Sequence, residues 1–249
     1  MICFPFASFG VILEKEHLIS DRGISMRRAI IGDIAGCFDE LERLLDAIGL
    51  AIGDEVISVG DMVDRGPKSP EVVRFFMGGY GRRAVKGNHE RKHERVFNGL
   101  MPANVFGKNQ QETMRQFRER GDRLGVSYED AIRYFFTLPL FLEFPEAIVV
   151  HAGLIYGVSW EQQNEKIVTG AGFRPENRRH PTELFNWCAS YPRDAKPVIF
   201  GHAGIAKAPW SLPQRENLWP IDTGCATGGF LTAVTIPDFR VYQVPGYKH

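Results

Sequence analysis

Charge of one sign, long apolar runs, paired cysteines and internal repeats are all missing from this 249-residue chain. Each absence removes a class of function. Lys+Arg and Asp+Glu both number 30, so the formal net charge is zero. A nucleic-acid or anionic-membrane partner usually leaves a basic excess, so neither is expected. No apolar run reaches the roughly 20 residues that cross a bilayer. The opening stretch MICFPFASFGVIL is apolar, but no basic segment precedes it, and Pro5 and Gly10 interrupt it. That gives a signal peptide little support. The four cysteines, Cys3, Cys37, Cys188 and Cys225, form no CxxC pair and no secreted-scaffold spacing. Reduced thiols and a cytoplasmic home are therefore expected.

What is present reads as an ordinary globular protein, 44% hydrophobic and 24% charged. The length fits one large domain, with or without an insertion. Residues 1–25 are read as an N-terminal extension and 26–249 as the domain, with Met26 a candidate start just before the first clear strand. RRAII (27–31), EVISV (55–59) and RAV (83–85) are short apolar strands. Between them, FDELERLLDAIGL (38–50) places Leu41, Leu44, Leu45 and Ile48 on one helical face, and PEVVRFFMG (70–78) carries Pro70 in its first turn. Such alternation predicts parallel βαβ units. Residues 91–138 are polar and helical, with stretches at 111–121 and 128–138, and read as a helical insertion over one edge of the site. AIVV (147–150) and PVIF (197–200) are two more buried strands. GGFLTAVTI (228–236) and RVYQV (240–244) alternate β-branched and aromatic residues, which predicts antiparallel strands. An α/β sandwich with a mixed sheet follows.

Polar residues gather directly after these strands. Asp33 follows the first; Asp61, Asp64 and Arg65 follow the second; Asn88, His89 and Glu90 follow the third. His151 and His202 close the fourth and fifth. Strand carboxyl ends face the ligand crevice in α/β sheets. Carboxylate, amide and imidazole together suit divalent transition metals or Mn²⁺. One carboxylate bridging two ions makes a nucleophile of the water between them. Arg65 offers a permanently charged fork to phosphate oxygens. His89, oriented by Asp64, is suited to protonate a leaving oxygen. A single Gly-Asp pair marks only a turn, and a histidine ending a strand is commonly a satisfied polar residue. The ordered recurrence after five apolar strands is what points to a site. Cys37, Cys225 and the four tryptophans (Trp160, Trp187, Trp210, Trp219) are read as packing residues.

GDIAG, GDMVDRG, KGNHE, HAG and GHA, in that order from about Arg27 to Gly224, resemble the phosphoprotein-phosphatase branch of the calcineurin-like metallophosphoesterases. PIDTGCATGGFLTAV (220–234) is similar to the closing strands of bacterial members, including symmetrical diadenosine tetraphosphatases. The resemblance implies an αββα sandwich with mixed central sheets and two divalent ions. Manganese is the first choice, with iron, zinc or magnesium as alternatives. It implies Asp33 and Asp61 at the first ion, with Asp61 bridging, and Asp61, Asn88, His151 and His202 at the second. Arg65 and Asn88 would bind substrate, and His89 with Asp64 and Arg65 would be catalytic. A second phosphate arginine is implied among Arg174, Arg178, Arg179 and Arg193.

The first motif of the family reads GDxHG, whereas Ala35 stands here at the histidine position. A methyl group cannot coordinate, so the first ion should be bound more weakly, by oxygen atoms that favour a hard cation. An engineered change, a natural variant or a degenerate enzyme would each give this residue. The resulting expectation is a monoesterase acting on phosphoserine or phosphothreonine in proteins, or on another small phosphoester. Symmetrical dinucleoside polyphosphate hydrolysis is the alternative, and a non-catalytic phosphate-binding module is a third reading motivated by Ala35.

Overall fold

The computed structural model describes residues 26–171, 186–202 and 216–248. The expectations for the 1–25 extension, Cys3, Trp210, Arg174, Arg178 and Arg179 lie outside these residues. Strand β1 (Arg28–Ile31) pairs in parallel with β2 (Glu55–Ser58), and β2 pairs in parallel with β3 (Arg82–Ala84). Helix α1 (Phe38–Ile48) crosses from β1 to β2 and buries Leu41, Leu44 and Ile48 on one face. It stops at Gly49, whose left-handed backbone lets its N–H reach the Leu45 carbonyl. Helix α2 (Ser69–Met77), with Pro70 in its first turn, crosses from β2 to β3.

Three helices follow: α3 (Asn88–Phe97), α4 (Lys108–Leu124) and α5 (Tyr128–Thr137). Ser127 caps α5 by accepting from the Asp130 N–H while Asp130 reaches back to the Ser127 N–H. Helix α4 packs on α2, and α5 packs on α3.

The chain then builds a second sheet from β4 (Phe141–Glu143), β5 (Ile148–Val150), β6 (Val198–Phe200) and β7 (Leu218–Pro220), in that spatial order. β5, β6 and β7 run parallel, and β4 is antiparallel to β5. Short helices α6 (Glu165–Val168) and α7 (Asn186–Ser190) lie between β5 and β6 in sequence. The last strands join the first sheet, β8 (Phe230–Ile236) antiparallel to β1 and β9 (Val241–Pro245) antiparallel to β8, giving the order β3-β2-β1-β8-β9.

Three apolar clusters define the layers. Ile30, Ile57 and Val234 of the first sheet meet Leu142, Val149 and Ile199 of the second, so the sheets face one another. Ala29, Ile31 and Ala233 pack instead against Leu41, Leu44 and Val73 of the outer helices. Val150, Val198 and Phe200 pack on the far side with Val168 and Cys188. The result is the expected αββα sandwich with mixed sheets. Alternate residues of β1 point to opposite layers, as the period of two in a strand requires.

Candidate metal centre

The carboxyl ends of the two sheets converge at close range. Gly201, just after β6, lies so near the loop after β1 that an added Cβ would stand 2.1 Å from Asp33 Oδ1. Gly87, before α3, has the same relation to Asp61, whose Oδ1 an added Cβ would meet at 2.3 Å. Only glycine permits either approach. The loops are also strained. Five of the six non-glycine residues with positive φ among the described residues are Ala35, Asp61, Asp64, Arg65 and His202. Such conformations cost about 1–3 kcal/mol each and persist only where the surroundings hold them.

Glu90 supplies much of that hold. Its buried carboxylate accepts from the backbone N–H groups of Asp61, Met62 and Gly87 at 2.7–3.0 Å. Burial, and then the neighbouring Asp61 charge, pushes Glu90 up to about 7. A loop that presents Asp61 is thereby tied to the helix that presents Asn88 and His89.

Asp61, Asn88, His151 and His202 come together on one side of the pocket. The ring nitrogens of His151 and His202 and a carboxylate oxygen of Asp61 all lie within 4.8 Å of one another. His151 Nδ1 donates to the Val59 carbonyl at 2.8 Å, which turns Nε2 toward the other polar groups. That Nε2 faces Asn88 Oδ1 at 3.1 Å and Asp61 Oδ1 at 3.4 Å. His202 Nδ1 lies 2.7 Å from the same Asn88 oxygen. Burial, followed by the charge of His151, pushes His202 down to about 3, so His202 is neutral near pH 7. Ring nitrogens of His151 and His202 and the oxygens of Asn88 and Asp61 thus face one another across one gap. This donor set fits a divalent transition metal. Burial opposes the Asp61 charge, but His151, His89 and Arg65 outweigh it and bring Asp61 down to about 2.

The other side is different in kind. Asp33 accepts the His202 backbone N–H at 3.1 Å. Burial, then Asp222, then Asp61 hold its carboxyl well above the usual aspartate range. Asp222 follows β7 as the other polar residues follow their strands, and is buried. Ala35 is buried beside this side and contributes backbone alone: its N–H donates to the Asp61 carbonyl at 2.8 Å. A cation between Asp33 and Asp61 would relieve their mutual repulsion, so these oxygens fit one, with fewer donors than the opposite side.

His89 and Asp64 form a close pair, Nδ1 to Oδ2 at 2.5 Å. Burial favours a neutral His89, but Asp61 and Asp64 overcome it and raise its pKa. Arg65 Nη2 stands 3.2 Å from His89 Nε2, half-buried at the mouth of the pocket. A permanently charged donor and a histidine acid therefore share one rim. Arg193, the described candidate for a second phosphate contact, is an exposed residue between α7 and β6.

All eight polar residues expected at the site meet around it. Glu90 was among the polar residues expected after β3, with no role given to it, whereas Asp222, His93, Gln110 and Thr113 were missed. For Asp222 the signal was available, since it lies inside a motif already singled out, PIDTGC.

Residues 26–226 match the family model of the calcineurin-like phosphoesterases. The chain is 32% identical to the asymmetrical bis(5'-nucleosyl)-tetraphosphatase PrpE of Bacillus subtilis, over 87% of this chain and 93% of that protein. It is 29% identical to the symmetrical bis(5'-nucleosyl)-tetraphosphatase of Aromatoleum aromaticum, over 88% of this chain and 96% of that protein. A crystal structure reported for a candidate diadenosine tetraphosphatase superposes with a TM-score of 0.67 at 25% identity, covering 91% of this chain and 96% of the other.

Proposed function

The chain belongs to the calcineurin-like phosphoesterases, and from that premise we propose that it hydrolyses bis(5'-nucleosyl) tetraphosphates. The likeness to the Bacillus subtilis enzyme, which spans both proteins almost end to end, carries this reading. It reverses the order reached from motifs alone, where phosphoserine and phosphothreonine came first and the dinucleotide second. Those motifs are shared by enzymes that grip a phosphoryl group, and they carry no information about what is attached to it. The proposed cut is the unequal one, with water adding to a phosphorus and one P–O–P bridge breaking to leave a nucleoside triphosphate and a monophosphate.

In this reading Asp61, Asn88, His151 and His202 hold one divalent ion, and Asp33 with Asp61 holds a second more loosely. Manganese is the ion we favour, because imidazole and carboxylate both serve it. Bound ions of this kind supply Lewis acidity and lower the pKa of water. Arg65 and the Asn88 amide bind phosphate oxygens. His89 Nε2 gives a proton to the departing phosphate oxygen, and Asp64 keeps the ring turned for that transfer.

The test is product analysis. Purified protein with Mn²⁺ and diadenosine tetraphosphate is expected to give ATP and AMP in equal amounts. Two ADP per substrate would assign the symmetrical cut instead. Turnover of a phosphoserine peptide with no nucleotide product would overturn the proposal.

A further inference from the structure

Asp64 is fully buried, yet it touches more than His89. Its Oδ2 also receives Gln110 Nε2 at 2.5 Å. Its Oδ1 receives Thr113 Oγ1 at 2.7 Å and His93 Nε2 at 2.9 Å. An ionised carboxylate offers about four lone-pair sites, and four donors occupy them. Two come from α3 and two from α4.

Each donor is itself oriented. The Gln110 carbonyl end accepts from the Gly107 N–H at 3.0 Å and from Lys92 Nζ at 3.1 Å. Its NH₂ end must therefore face Asp64. Because His93 gives its Nε2 proton to Asp64, its Nδ1 accepts the Tyr128 hydroxyl at 2.8 Å. That hydroxyl comes from α5. Helices α3 and α4 thus reach directly, and α5 through His93, one carboxylate whose own residue sits in a strained, positive-φ loop.

We propose that His93, Gln110 and Thr113 are positioning residues that fix Asp64 as an acceptor, and so keep one proton on His89 Nδ1, leaving Nε2 as the nitrogen that carries the proton given to the leaving oxygen. This inference rests on the proposed role of His89. With its lone-pair sites filled, Asp64 cannot swing away or take a proton from Nδ1, so the imidazole has one orientation and one reactive nitrogen. Remove a donor and the carboxylate gains freedom to rotate in its loop, and His89 gains a second tautomer. The helices that cover this edge of the pocket then contribute chemistry through the acid, without touching substrate.

The experiment uses the full chain with Thr113→Val, the double change Gln110→Met with Thr113→Val, and Thr113→Ser as the conservative variant. In metal-free protein, at a pH high enough for the ring to be neutral, nitrogen-15 NMR of the histidine rings reads the tautomer directly. The variants that lose donors are expected to show His89 populating Nε2–H, and Thr113→Ser to keep Nδ1–H. With Mn²⁺ and diadenosine tetraphosphate, kcat should fall about 10- to 100-fold at unchanged KM, as for other outer-shell orienting groups, and Thr113→Ser should retain it. If the double variant does not fold, Thr113→Val alone carries the test. A folded variant with unchanged His89 tautomer and unchanged kcat would overturn the inference. His89→Ala separates the two claims: unchanged kcat there removes the acid role itself, while the NMR comparison still reports on the donors around Asp64.

Discussion

On one side of Asp61 stand two imidazoles and an amide; on the other stand two carboxylates and the methyl group of Ala35. The first side is preorganised. His151 is held by the Val59 carbonyl, and His202 is neutral at physiological pH. The second side is unfavourable as it stands. Asp33 is crowded by burial and by two acidic neighbours, so its ionised form needs a cation. One pocket therefore offers a selective, nitrogen-containing seat and a softer-built seat of oxygens alone. The lesson is that Asp61 matters to both, because it is the carboxylate they share.

Breaking the shared residue should have the largest effect. Asp61→Asn is expected to lower Mn²⁺-dependent kcat/KM on diadenosine tetraphosphate well beyond the roughly 10- to 100-fold of an outer-shell change. A loss smaller than tenfold would mean that the two sides do not meet at Asp61. Restoring the missing donor sharpens the comparison. Ala35→His is expected to tighten the weaker Mn²⁺ site by about tenfold or more, read by calorimetry, and to raise turnover at limiting Mn²⁺. Equal isotherms for the two proteins would remove the asymmetry.

The smallest effect is on stability against pH. Asp64 is held well below the usual aspartate range: burial opposes its charge, but hydrogen bonds from His89 and His93 outweigh that. A depressed folded-state pKa contributes stability that is present above the unfolded value, about 3.9, and is lost as pH falls through the folded value. Thermal melts of metal-free protein from pH 7 to pH 2 should therefore show a shallower acid loss in Asp64→Asn than in the parent. Parallel curves would contradict the assignment.

Much of this was legible beforehand because it rests on local pattern. β1, β2, β3, β5, β6, β8 and β9 all overlap the apolar runs read as strands, with ends shifted by one or two residues. The two strands that were missed, β4 and β7, have three residues each and include Glu143 and Pro220, so neither shows a clear period. The site residues were legible because each closes a strand. His93, Gln110 and Thr113 were not, for a physical reason. They lie on helix faces at spacings that any amphipathic helix shows, and only the packing of α4 on α2 brings Gln110 and Thr113 to Asp64. Ala35 was legible as a departure, but its consequence for Asp33 depends on Asp222, a residue 189 positions away that the fold places nearby.

The most direct measurement is the Mn²⁺ binding isotherm of the unaltered chain, taken beside anomalous scattering at the manganese edge. Two ions of clearly unequal affinity are expected, the tighter one among Asp61, Asn88, His151 and His202 and the weaker one against Asp33. Two ions of equal affinity, or none within reach of Asp61, would contradict the unequal two-sided centre.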